Sequence, residues 1–153
     1  MHKTISIAAI ITFLFLSLSS SAQLYKHEAG VRLGSADQAL STGFSYRYHI
    51  NETKAIEGII NLKDNARGIG ALYEIFKPIA AVESLRWFYG AGGYAAFEGN
   101  DVLGITGIAG LDYTFKEAPV NLSIDWKPEL SFLKDVSFKA STVAVSVRIA
   151  FGK

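Results

Sequence analysis

The sequence predicts an all-β fold, with eight antiparallel strands in up-and-down order closed into a barrel. Three observations carry that reading. Apolar residues alternate with small or polar ones over segment after segment, the period-two signature of a strand with two unlike faces. Short runs of Asp, Asn, Gly, Ser and Pro join the segments, so neighbours in sequence become antiparallel neighbours in space. The 153 residues support one domain, and eight strands are enough to close a sheet on itself.

Taken in order, residues 27–34 set Ala29, Val31 and Leu33 against Glu28, Gly30, Arg32 and Gly34. A turn at Ser35-Ala36-Asp37 leads to residues 40–50, with Leu40, Thr42, Phe44, Tyr46 and Tyr48 against Ser41, Gly43, Ser45, Arg47 and His49. Residues 54–62 oppose Ile56, Gly58, Ile60 and Leu62 to Ala55, Glu57, Ile59 and Asn61. After the turn at Lys63-Asp64-Asn65, residues 68–77 oppose Ile69, Ala71, Tyr73 and Ile75 to Gly70, Leu72, Glu74 and Phe76. Residues 78–85 are irregular and have room for a short helical turn. Residues 86–98 then place Trp87, Tyr89, Ala91, Ala95 and Phe97 against Phe88, Gly90, Gly92, Tyr94 and Ala96.

The most regular stretch follows the Gly99-Asn100-Asp101 turn. Residues 103–115 put Leu103, Ile105, Ala109, Leu111, Tyr113 and Phe115 on one face. Past the break Lys116-Glu117-Ala118-Pro119, Val120, Leu122, Ile124 and Trp126 oppose Asn121, Ser123, Asp125 and Lys127. Residues 129–136 form a polar connection. The last strand, residues 139–151, sets Val143, Val145, Val147, Ile149 and Phe151 against Thr142, Ala144, Ser146, Arg148 and Ala150.

Composition narrows the class. A net charge of +1, with 19% charged residues, gives no basic stripe for nucleic acid. The absence of cysteine excludes disulfides, thiolate catalysis, Cys-ligated metals and a lipid anchor on a cleavage-site cysteine. At the N-terminus, His2 and Lys3 precede an apolar run from Ile5 to Leu18, then Ser19-Ser20-Ser21-Ala22 before Gln23. That is the pattern of a secretory signal peptide, residues 1–22, ahead of a barrel domain at residues 23–153. The run is shorter than the roughly 20 apolar residues a membrane-spanning helix needs.

The nature of the two faces then decides what surrounds the barrel. The less apolar face is mostly Gly, Ala, Ser and Thr with isolated charges, which fills a narrow lumen better than it meets water. The opposite face, rich in Val, Ile, Leu and aromatics, suits lipid. By parity Arg32, Arg47, Arg86 and Arg148 point inward with Glu57, Glu74, Asp112 and Asp125, a balanced charge network of the kind a low-dielectric interior demands. Leu72, Phe76, Phe88, Tyr94 and Ile108 also point inward, which predicts a plugged lumen. With both termini in the periplasm, Tyr48, Trp87, Tyr113, Phe115 and Phe151 fall at one level as an interfacial girdle. Phe97 and Trp126 form a sparser ring at the other. The expectation is an eight-stranded antiparallel up-and-down transmembrane β-barrel after a cleaved signal peptide.

Three segments carry a resemblance: R-G-I-G-A-L-Y-E at residues 67–74, L-R-W-F-Y-G-A-G-G-Y at 85–94, and G-L-D-Y-T-F-K-E-A-P-V-N-L-S-I-D-W-K-P at 110–128. They resemble the small outer-membrane protein β-barrel domain family, related in architecture to the OmpA/OmpX-type eight-stranded barrels. The similarity spans most of the mature chain. The last strand resembles the C-terminal assembly signal of such barrels, although Gly152 and Lys153 follow Phe151 here. The resemblance implies a bacterial outer-membrane location, contact with outer-membrane lipid, and barrel-assembly machinery as partner during insertion. It implies no particular activity.

Catalytic chemistry finds little support. Lipid-modifying barrels need a His paired with a Ser, plus a carboxylate, at one rim. After signal removal only His27 and His49 remain, both at the presumed periplasmic end. No HxH or HExxH spacing marks a metal site. Asp64-Asn65 and Asn100-Asp101 are explained as turns, and Gly90-Ala91-Gly92-Gly93 as a strand that bends closely. The chain therefore reads as a non-enzymatic, monomeric protein without cofactor, structural or surface-interacting in role. A contact surface is expected at residues 129–139, through Leu130, Phe132, Leu133 and Phe138. Two alternatives stay open: a narrow small-solute, porin-like channel, and a soluble secreted barrel binding an apolar ligand.

Overall fold

Alternation at this length leaves the backbone one economical way to satisfy its polar groups: each strand bonds two neighbours, and the sheet curls until its first and last strands meet. The computed structural model describes residues 25–36, 38–61, 67–97, 101–133 and 135–152. The described residues contain strands and turns and no helix. The strands are β1 (His27–Gly34), β2 (Gly43–Asn51), β3 (Lys54–Asn61), β4 (Gly68–Pro78), β5 (Leu85–Phe97), β6 (Asp101–Thr114), β7 (Val120–Trp126), β8 (Glu129–Ser131), β9 (Ser137–Lys139) and β10 (Val143–Phe151).

Every pairing is antiparallel. β1 to β7 pair in succession, β10 lies between β7 and β1, and the β5–β6 pairing closes the ring. β7 and β8 are one barrel strand: Trp126 faces Ala109 and Glu129 faces Thr106, an unbroken register along β6. Pro128, which has no N–H to give, interrupts the ladder there, while its carbonyl still accepts from Gly107 N at 3.0 Å. β9 and β10 likewise form one strand with a bulge. Phe138 faces Leu130 but Val143 faces Trp126, so residues 139–142 hold one residue more than 127–129 opposite them. Lys127 N and Trp126 Nε1 secure the bulge by donating to Thr142 O (3.1 Å) and Ala140 O (2.7 Å). The barrel thus has eight antiparallel strands.

The two ends differ. At one end, the floor, turns are tight: Thr53 N donates to Asn51 Oδ1 at 2.9 Å between β2 and β3. The irregular interval before β5 is a series of turns, with Ser84 in the left-handed region at φ 67°. At the other end, the mouth, the β8–β9 hairpin prolongs the wall. Of residues 129–136, expected as a polar connection, Glu129–Ser131 is strand, and the return strand Ser137–Lys139 follows it. The expected signal peptide and the connections at 63–66 and 99–100 lie outside the described residues.

Three expectations need correction. The strand read as residues 40–50 begins only at Gly43, and the strand read as 139–151 breaks at 140–142. Leu40, placed by parity on the apolar outer face, is instead 0% exposed within the barrel. The chain turns inward before β2, so parity counted back from β2 does not apply to it.

Polarity is reversed relative to a water-soluble domain. Arg32 is 0% exposed while its neighbour Leu33 is 67% exposed. The same inversion repeats around the ring: Val145, Val147 and Ile149 stand outside, and Ser146 and Arg148 are buried between them.

Candidate functional site

The lumen gathers the chain's chemistry, because the inward parity of each strand delivers polar side chains to it. Arg32 on β1 forms a two-pronged pair with Asp125 on β7, its Nη1 and Nη2 donating at 2.5 and 2.6 Å. Arg148 on β10 pairs with Glu57 on β3 and donates to Ser45 Oγ (2.7 Å), Ser123 Oγ (2.8 Å) and Asn121 Oδ1 (3.3 Å). Ser45 Oγ in turn donates to Glu57 Oε1 at 2.5 Å. Arg47 on β2 contacts three carboxylates: Glu28 (3.1 Å), Glu74 (2.8 Å) and Asp112 (2.8 Å). Arg86 on β5 shares Asp112, at 2.6 Å.

These ties cross the interior. β2 and β6 stand opposite each other in the ring, so the Arg47–Asp112 pair spans its full width. Two-pronged guanidinium geometry and multiple acceptors are what make a buried ion pair tolerable, since each ion has given up its hydration.

The floor is closed by rings and guanidiniums. Phe76 stacks on Phe88 at 5.2 Å, and Arg47 lies over both rings, 5.0 and 5.2 Å from their centres. Arg86 covers Phe76 at 4.5 Å, and the His49 ring lies 5.5 Å from it. His49 Nε2 bonds Glu28 Oε1 at 2.9 Å.

The mouth is closed by the chain itself. Residues 38–41 fold into the opening, with Gln38, Leu40 and Ser41 buried. Leu40 N donates to Glu129 Oε1 (3.1 Å), Arg32 Nε donates to Leu40 O (3.0 Å), and Asn61 Nδ2 donates to Gln38 O (3.2 Å). The Thr142 hydroxyl bonds the Gln38 side chain. Gly70 makes room for this plug: a Cβ there would stand 2.5 Å from Leu40 Cδ1.

The eight residues expected in the charge network lie in the lumen as separate groups: Arg32 with Asp125, Arg148 with Glu57, and Arg47 and Arg86 with Glu74 and Asp112. Sequence reading left out Glu28, Lys127 and Glu129, which are buried with them. The signal for all three was present, because strict alternation through Pro128 carries Lys127 and Glu129 inward. Nothing local announced Leu40.

Outside, Tyr48, Trp87, Tyr113, Phe115 and Phe151 lie at the floor end. Phe151 stacks on His27 at 5.5 Å, Tyr48 lies 5.3 Å from the same ring, and Tyr113 meets Phe115 edge-on at 5.0 Å. His27 Nδ1 bonds the Tyr46 hydroxyl at 2.6 Å. Both histidines are thus engaged by Tyr46 and Glu28. Of the candidate contact residues, Leu130 is half-buried, whereas Phe132, Leu133 and Phe138 are exposed on the β8–β9 hairpin. Comparison of the chain with protein-family models and with curated proteins finds no match.

Proposed function

We propose that this chain is an integral bacterial outer-membrane β-barrel, exported by a signal peptide at residues 1–22, with a structural or surface-interaction role and no catalytic activity. One observation carries the reading: the wall is apolar outside and ionic inside. Contiguous apolar surface of this kind is rare on a water-soluble monomer, and lipid relieves its exposure to water. On the outer face Val31, Phe44, Ile60, Ile69 and Leu103 are exposed, an apolar surface that suits acyl chains. The floor-end aromatics suit an interfacial position. The likeness to the small outer-membrane barrel family, with insertion by barrel-assembly machinery, belongs to the same proposal.

The lumen favours a structural role over transport. Ion pairs cross it, stacked rings close its floor and a plug fills its mouth. Its polar lining keeps a narrow small-solute channel as the second reading, which predicts conductance in planar bilayers and sensitivity to Arg148→Ala or Glu74→Ala. Surface contacts in the structural reading fall to the exposed hairpin residues Phe132, Leu133 and Phe138.

Cell fractionation followed by electrophoresis with and without boiling tests the proposal. A detergent-requiring protein whose mobility shifts on heating supports it. Recovery in the soluble fraction without detergent overturns it and turns attention to apolar ligands.

A further inference from the structure

The β8–β9 hairpin keeps the inside-out polarity of the wall it prolongs. Leu130 faces Ile105 on β6 and Phe138 on β9, and Phe132 N donates to Leu103 O at 3.2 Å. Residues directly opposite in an antiparallel pair share a face, so Leu130 and Phe138 stand outward with Ile105. Phe132 has the same parity as Leu130. It is 48% exposed, and Phe138 is 66% exposed. The polar residues turn the other way: Glu129 is buried in the lumen, and Ser131 and Ser137 share its parity.

The height of this face indicates the medium it meets. Each residue of a tilted barrel strand climbs roughly 2.5 Å along the barrel axis. On β6 the outward apolar run from Tyr113 to Leu103 climbs about 25 Å, the height of an outer-membrane apolar band. The next outward position, Asp101, is charged and exposed. β7 alone, from Val120 to Trp126, climbs only about 15 Å and leaves that band unfilled beside β6. Leu130 and Phe132 carry the wall up to the level of Leu103, and Phe138 stands beside them without bringing a charge to the face. The free edge of β9 limits how deep the hairpin can lie. Among the described residues Ser137–Lys139 pair only with β8, and an open edge needs water or headgroups within reach. Resting on the membrane reading above, we infer that the outward face of the β8–β9 hairpin docks on lipid acyl chains just below the headgroups. Phe132 and Phe138 thus touch lipid rather than a protein partner.

The chain has no cysteine, so Phe138→Cys, Phe132→Cys, Val147→Cys and Asp135→Cys each accept a single fluorescent label, with folding checked by the heat-dependent gel shift. In phosphatidylcholine vesicles, lipid carrying a nitroxide high on its acyl chain should quench the labels at Phe138 and Phe132. Iodide in the water should quench them severalfold less than the label at Asp135, in the hairpin turn. Val147, in mid-wall, reports on the barrel itself through a nitroxide deep in the chain. If lipid quenches Val147 while Phe138 and Phe132 respond to iodide as Asp135 does, the inference is overturned and the hairpin stands in water, open to a protein partner. If lipid leaves Val147 untouched as well, the membrane reading falls and the inference with it. Phe138, the more exposed of the two, serves alone if the Phe132 variant does not fold.

Discussion

The floor and the mouth of the lumen are both closed, but by different parts of the chain. At the floor, Phe76, Phe88, Arg47 and Arg86 are rooted in paired strands and held by stacking, cation–π contact and ion pairs. At the mouth, residues 38–41 belong to a connection, and one leucine with a few hydrogen bonds holds them. A closure built on strands moves only with the wall. A closure built on a connection has its own stability, smaller than that of the whole.

The largest effect is therefore expected at the floor. Arg47→Met leaves Glu28, Glu74 and Asp112 short of their shared counter-ion, and removing one partner from a buried ionic network costs about 3–5 kcal/mol. Urea titration followed by the heat-dependent gel shift should show the midpoint fall sharply; a midpoint near the original would mean that these charges are wetter than their burial suggests. Leu40→Ala comes next, at about 2–3 kcal/mol, near the lower end for truncating a buried leucine, because the plug can settle into the gap. Its signature should be faster amide exchange at residues 38–42, with exchange in β1–β6 unchanged. If the wall loosens equally, mouth and wall are one cooperative unit.

Glu129→Gln is milder. Its amide oxygen can still accept from Leu40 N, but without the charge, so a loss of about 1 kcal/mol is expected, read as a small midpoint shift. The smallest effect has the opposite sign. Ser84 sits at φ 67° in the β4–β5 turn, where a side chain is disfavoured, so Ser84→Gly should stabilise by about 0.5–1 kcal/mol. Thermal unfolding that shows a loss instead would mean that the serine side chain contributes to the turn.

What the sequence reveals divides along the same line. Alternation exposed the strands, the inner and outer faces and the full set of expected lumen charges, because a period of two is a local property. It could not reveal that Leu40 leaves the strand pattern, since a connection turning inward can carry the same alternation by chance. Nor does it disclose which arginine meets which acid. Arg32 and Asp125 are 93 residues apart, and only the register of β1, β10 and β7 brings them together. The β9–β10 bulge is hidden for the same reason, being a mismatch between two strands that neither strand carries alone.

The pairs that cross the lumen also bear on how the barrel assembles. Arg47 must wait for Asp112, 65 residues later, and Arg148 on the final strand completes Glu57 from the third. An incomplete sheet gives Arg47 the acids of its neighbouring strands, but leaves its tie to Asp112 and the Arg148–Glu57 pair unmade. Half-built intermediates are thereby penalised, and the last strand to arrive supplies both the closing seam and the missing guanidinium. Ring closure and completion of the Arg148–Glu57 pair then coincide, and contacts so distant in sequence make assembly slow.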